Sequence, residues 1–179
     1  MTSIARPLSG EYAPYYETYF ARLPATGELL PLLREQPAAL RHLLTGTTEA
    51  EAGQPFAPGK WTVKQVLTHM IDTERVFAYR AMCIARGEQQ PLPGFEQDEY
   101  VALSGAADRR LADLLIEHAA QRAATVALLA GLPPEAHTRT GTASNFPGVS
   151  VRAIAWVIAA HEAHHHHLLA AARHREIEG

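Results

Sequence analysis

A single cysteine, Cys83, in 179 residues excludes an internal disulfide and any cysteine-based zinc cluster, so a metal held by this chain would have to use histidine and carboxylate. A basic excess is missing as well. The 16 lysines and arginines stand against 19 acidic residues, a formal net charge of −3, which disfavours nucleic-acid binding. The opening stretch Met1–Leu8 has no long apolar region, and no run of ~20 apolar residues occurs, so neither a signal peptide nor a membrane span is expected and a cytoplasmic location is the default. Sustained strand alternation and internal repeats are also absent. What is present is a 19.5 kDa chain, 47% hydrophobic, sized for one domain with a substantial core.

Helical punctuation divides the chain. Residues 1–27 read as an irregular lead-in whose Tyr12, Tyr15, Tyr16, Tyr19 and Phe20 pack across the end of a domain spanning 28–179. A first helix is expected over Glu28–Leu44, with Pro31 tolerable in its first turn and Pro37 bending it or delaying its start. Thr62-Val-Lys-Gln65 is a capping box that starts a second helix reaching about Arg86, where Gly87 supplies the exit. Apolar residues at helical intervals mark a third helix over Ala107–Ala130. The link 88–104 and the stretch Gly141–Gly148 read as loops, the former long enough to form a pocket wall with Phe95 and Tyr100. Ser150 caps a last helix from Val151 to about Arg173. Four helices of ~17 to ~25 residues make an all-α four-helix bundle.

Histidine is abundant, with ten in the chain and five within His161–His167. Helical sequence continues past the run, which argues against a purification tag. On a helical wheel with His161 at zero, His165 falls near ~40°, beside Ile154 and Ile158 on the apolar stripe. His164 lies on its border near ~−60°, whereas His166 and His167 point outward and are expected to be solvated. Neutral imidazole is the commonest metal ligand and i, i+4 side chains are neighbours, so His161 and His165 can reach one ion.

A catalytic metal commonly takes three protein ligands. His69 is the best third candidate, since its helical face mixes apolar and polar groups as a bundle-core site does. Cys83 shares that face but lies ~21 Å along the axis, too far to ligate the same ion. His118 is a candidate fourth ligand or a structural histidine. Asp72 could orient His69, although pairing with Arg75 is the simpler expectation. Arg80 faces the same way and would form an inter-helix salt bridge or bind a substrate carboxylate. Glu74 and Glu162 are read as either solvated or functional. Residues 161–165 also satisfy H-E-x-x-H, but Leu168 and Ala171 break the extended metzincin pattern. Trp156, Ala159, Ala163 and Ala170 form a second face that packs within the chain or against a second subunit.

The stretches Pro58–His69 (PGKWTVKQVLTH), Ile71–Arg80 (IDTERVFAYR), Pro91–Phe95 (PLPGF) and Ser150–His165 resemble the DinB-like superfamily, four-helix metalloproteins that include thiol-dependent S-transferases. That resemblance implies ligands at His69, His161 and His165 and a divalent ion, zinc or nickel most often. It also implies a nucleophile activated by the ion. The expected function of the chain is that of a transferase, in which a low-molecular-weight thiol serves as cofactor and is joined to an electrophilic small molecule, the readings that follow being the alternatives. With water it would be a hydrolase of a small amide or ester, and a non-catalytic metal-binding protein is the third reading. The family often forms a homodimer. The extra histidines after His165 depart from its pattern.

Overall fold

Thr62 and Gln65 exchange the two hydrogen bonds of a capping box: the Thr62 amide donates to Gln65 Oε1 (2.9 Å) and the Gln65 amide to Thr62 Oγ1 (3.1 Å). From that nucleus the second long helix of a computed structural model runs unbroken from Val63 to Ala85. Residues 3–177 are described, with side chains through residue 172; residues 1–2 and 178–179, at the ends of the two expected spans, lie outside the description. In chain order the elements are α1 (Glu17–Phe20), α2 (Leu29–Leu43), α3 (Glu49–Ala52), α4 (Val63–Ala85), α5 (Gln97–Leu103), α6 (Leu111–Ala130), β1 (Thr140–Ala143), β2 (Phe146–Ser150) and α7 (Val151–Ile177).

The four long helices make the all-α four-helix bundle. α4 packs on α6 and α7, and α2 packs on the same two, so α4 and α7 are neighbours while α2 lies diagonal to α4. Ser150 starts α7 as expected, its Oγ accepting from the Ala153 amide at 3.0 Å. α6 begins at Leu111, later than the sequence suggests, because Gly105 takes a left-handed conformation (φ 65°) and a 3-10 turn, Ala106–Asp108, comes first.

Burial divides the bundle into three layers. One apolar cluster holds Leu33, Phe77, Leu129 and Trp156, and a second holds Leu40, Leu67, Leu114 and Leu169. Each fully buried leucine contributes roughly 1.5–3 kcal/mol relative to an exposed one. Every long helix carries buried polar residues near the junction of these clusters: Gln36 on α2, His69 and Glu74 on α4, His118 and Arg122 on α6, His161, Glu162 and His165 on α7. A polar layer therefore crosses the middle of the bundle.

Several expectations change. The 88–104 link is not wholly loop, since it contains α5, and Leu92 joins the Gly141 region through hydrogen bonds to Thr142 O (2.9 Å) and from the Ser144 amide (3.1 Å). The Gly141–Gly148 stretch is a β-hairpin, antiparallel, turning at Ser144 and Asn145 with φ of 50° and 62°. Gly141 is needed there because a Cβ would lie 2.7 Å from Ile84 Cγ1. Pro37 neither delays α2 nor stops it. The lead-in holds a 3-10 turn and α1, and it docks: Trp156 Nε1 donates to the carbonyls of Ile4 (3.1 Å) and Ala5 (3.0 Å). Trp156 and Ala159 thus face inward, toward the chain itself.

Candidate metal centre

α4 brings His69, in its second turn, against α7, which presents His161 and His165 one turn apart. All three rings are buried. Their Nε2 atoms converge, with His161 Nε2 3.0 Å from His69 Nε2 and 3.1 Å from His165 Nε2. A ring nitrogen offers one in-plane lobe, either an N–H or a lone pair, so His161 Nε2 cannot satisfy both neighbours by hydrogen bonding. A cation can. Two nitrogens ~2.1 Å from a shared ion at right angles stand ~3.0 Å apart, so the observed spacings suit three ligands of one divalent ion.

Electrostatics agree with that donor set. Burial pulls the His69 pKa down to about 4, Asp98 opposing and His164 reinforcing. Burial, then His69 and His164, takes His165 to about 3. His161 is held well below the ordinary value, again chiefly by burial. At neutral pH three uncharged imidazoles face one another with lone pairs available. Trp61 lies against His69 (4.9 Å between ring centroids) and Phe77 against His161 (6.3 Å), so the rings sit in an aromatic setting.

Other singled-out residues are placed differently. Asp72 pairs with Arg75 (3.1 Å), and the group beside His69 Nδ1 is the Thr73 hydroxyl, at 3.4 Å. His118 is buried but faces Glu162, its Nε2 3.2 Å from the carboxylate, and so is no fourth ligand of the three-histidine group. His164 stacks on Tyr19 (4.3 Å between centroids). His166 is not simply solvated, because it lies 3.3 Å from Glu162, whereas His167 is exposed.

Glu74 and Glu162 are both buried and both bind Arg122. Arg122 donates to Glu74 Oε1 (2.9 Å) and Oε2 (2.8 Å), to Gln36 Oε1 (2.8 Å), to the Leu33 carbonyl (3.1 Å) and to Glu162. Burial works most strongly on the Glu162 carboxylate and raises its pKa, but Arg122, His118 and His166 together outweigh burial and hold the pKa low. This engagement removes Glu162 from the general-base role that H-E-x-x-H implies. Glu74, His118 and Glu162 also lie close enough to share an ion, but the guanidinium of Arg122 already pairs with both carboxylates.

A cavity of about 310 Å³ opens beside His69 and His161, walled by Tyr16, Tyr19, Phe77, Arg80 and Phe95. Phe95 is brought to this wall as expected. Tyr100, half-exposed, lines instead a neighbouring cavity of about 280 Å³ that shares Arg80 and Phe95. Arg80 makes no salt bridge among the described residues; it donates to the Pro93 carbonyl at 2.5 Å. Tyr16 and Tyr19, read from sequence as packing, are cavity walls, a role that no local spacing signals because α1 reaches the site only by docking on α7.

Three comparisons bear on this arrangement. Residues 32–169 match the DinB superfamily. A curated relative from Geobacillus thermodenitrificans, named "Putative metal-dependent hydrolase", is 28% identical over 79 residues, and the match spans 44% of this chain and 44% of that one. The solved structure "YfiT from Bacillus subtilis is a probable metal-dependent hydrolase with an unusual four-helix bundle topology" has a TM-score of 0.76 at 17% identity, over 96% of this chain and 93% of that one, which is a likeness of fold. No described helix is long and apolar enough to cross a membrane. With its family match extending over all four long helices, the chain belongs to the DinB superfamily.

Proposed function

We propose that the chain is a divalent-metal-dependent hydrolase of a small amide or ester, with His69, His161 and His165 holding the ion. The observation that carries this reading is the convergence of three neutral Nε2 atoms at 3.0 and 3.1 Å, with His69 and His161 on the wall of a cavity large enough for a small molecule. A bound zinc or nickel ion supplies Lewis acidity, lowering the pKa of a nucleophile and polarising a carbonyl. His69, His161 and His165 would hold that ion, His69 and His161 from the wall of the cavity. Thr73 fixes the ring of His69 from behind. Phe77, Tyr16 and Tyr19 limit bulk water around the reacting carbonyl. Hydrolysis adds one water across the bond, the hydroxyl going to the acyl carbon and a proton to the leaving nitrogen or oxygen. The descriptions of the Geobacillus and Bacillus proteins as metal-dependent hydrolases support this class.

A second reading has its own support. Two cavities meet at Arg80 and Phe95, which leaves room for a low-molecular-weight thiol beside an electrophile. One assay separates the readings: protein loaded with zinc or nickel is offered small esters and amides with and without added thiols, alongside His161→Ala. Turnover without thiol that disappears in His161→Ala is the expected result. Turnover only with thiol establishes the transferase. No turnover, together with a large fall in melting temperature on chelation, establishes a structural ion instead.

A further inference from the structure

Among the described residues two arginines are buried in this bundle, and they are treated in opposite ways. Arg122 is surrounded by two carboxylates, an amide and a carbonyl. Arg80, 4% exposed, has one hydrogen bond, to the Pro93 carbonyl, and no ion pair among the described residues. Its guanidinium lies over the Phe77 ring (5.7 Å), its remaining nitrogens are not among the buried unpaired atoms, and the residue lines the cavity beside His69 and His161 as well as two adjoining cavities. Burial raises the hydroxyl pKa values of Tyr15 and Tyr16, so these neighbours stay neutral and give Arg80 no counter-charge. Glu96, the carboxylate on the cavity wall, is not paired with it. A permanently charged planar fork facing a cavity without a counter-ion is a site for a planar anion.

Position sets the reach. Arg80 follows His69 by eleven residues on α4, close to three full turns, so both lie on one face with their Cα atoms ~16 Å apart along the axis. Helical side chains tilt toward the N-terminus, which carries the guanidinium back toward the histidines. Between the two ends the wall is Phe77, with Tyr16 and Phe95 opposite.

We propose that Arg80 receives a carboxylate of the substrate, and that the substrate is an amide or ester whose carboxylate is separated by an apolar spacer from the carbonyl held at the three histidines. This rests on the metal-centre reading above. The test uses nickel- or zinc-loaded protein and a series of dicarboxylic acid monohydroxamates, from succinic to sebacic, each paired with the methyl-ended hydroxamate of the same length. The hydroxamate binds the ion and the far end reports on Arg80, with affinity read by calorimetry. At least one carboxylate-ended member is expected to bind about tenfold or more tightly than its methyl-ended match. That preference should vanish in Arg80→Met and survive in part in Arg80→Lys. Equal binding of every pair by the wild type overturns the proposal and leaves the metal centre standing; because this comparison uses the wild type alone, it decides even if Arg80→Met does not fold. Failure of both series to bind protein that retains its ion overturns the metal-centre reading and this proposal together.

Discussion

His161 Nε2 sits within 3.1 Å of two other ring nitrogens, and burial strips all three rings of charge. Without an ion this arrangement makes stability depend on pH. An unfolded histidine titrates near ~6.5, whereas folded His69 and His165 titrate at about 4 and about 3. Above pH ~6.5 neither state takes up protons at these rings; below it the unfolded chain does and the folded chain does not, so stability falls as pH drops toward ~3, by up to ~1.4 kcal/mol per pH unit for each titrating ring. Urea unfolding of metal-free protein at about pH 7.5 and about pH 5 should show this loss, and His69→Gln and His165→Gln should each flatten it. A midpoint in wild type that does not move with pH contradicts the neutral burial of these rings. The histidine pair was legible from i, i+4 spacing on an apolar stripe, and His69 from the mixed face of its helix. The partners of Glu74 and Glu162 were not, because Arg122 comes from another helix 48 and 40 residues away and no local period encodes that meeting.

Among the elements, α4 carries most of the site and owes its start to Thr62. Removing the cap with Thr62→Ala leaves an orphan amide at the end of a helix that holds His69 in its second turn. Stability should fall by ~1 kcal/mol, read from the urea midpoint, and an unchanged midpoint would mean that packing alone fixes the start of α4. The capping residues made α4 and α7 readable in advance. The hairpin was missed because β1 and β2 have four and five residues, too few for alternation to register, and Gly141 and Gly148 read as loop. α5 was hidden by the proline-rich approach to it. Pro37 shows how tertiary structure can absorb a local rule: its missing N–H frees the Leu33 carbonyl one turn back, and Arg122 donates to that oxygen at 3.1 Å.

For the whole molecule, the polar layer is both a cost and a constraint. Arg122 ties α2, α4 and α7 to α6 through charge-assisted bonds, and its position leaves two carboxylates buried if it is lost. Arg122→Met should destabilise the metal-free protein by about 3–5 kcal/mol, and adding Glu74→Gln and Glu162→Gln should recover part of that. If the single variant loses less than ~1 kcal/mol, the network is not what aligns the helices. The claim beneath the functional reading is that His69, His161 and His165 share one ion, and anomalous diffraction at the absorption edge of a loaded metal tests it most directly. One peak within ~2.1 Å of all three Nε2 atoms is expected. A peak beside Glu74, His118 and Glu162 with none at the three histidines would contradict it.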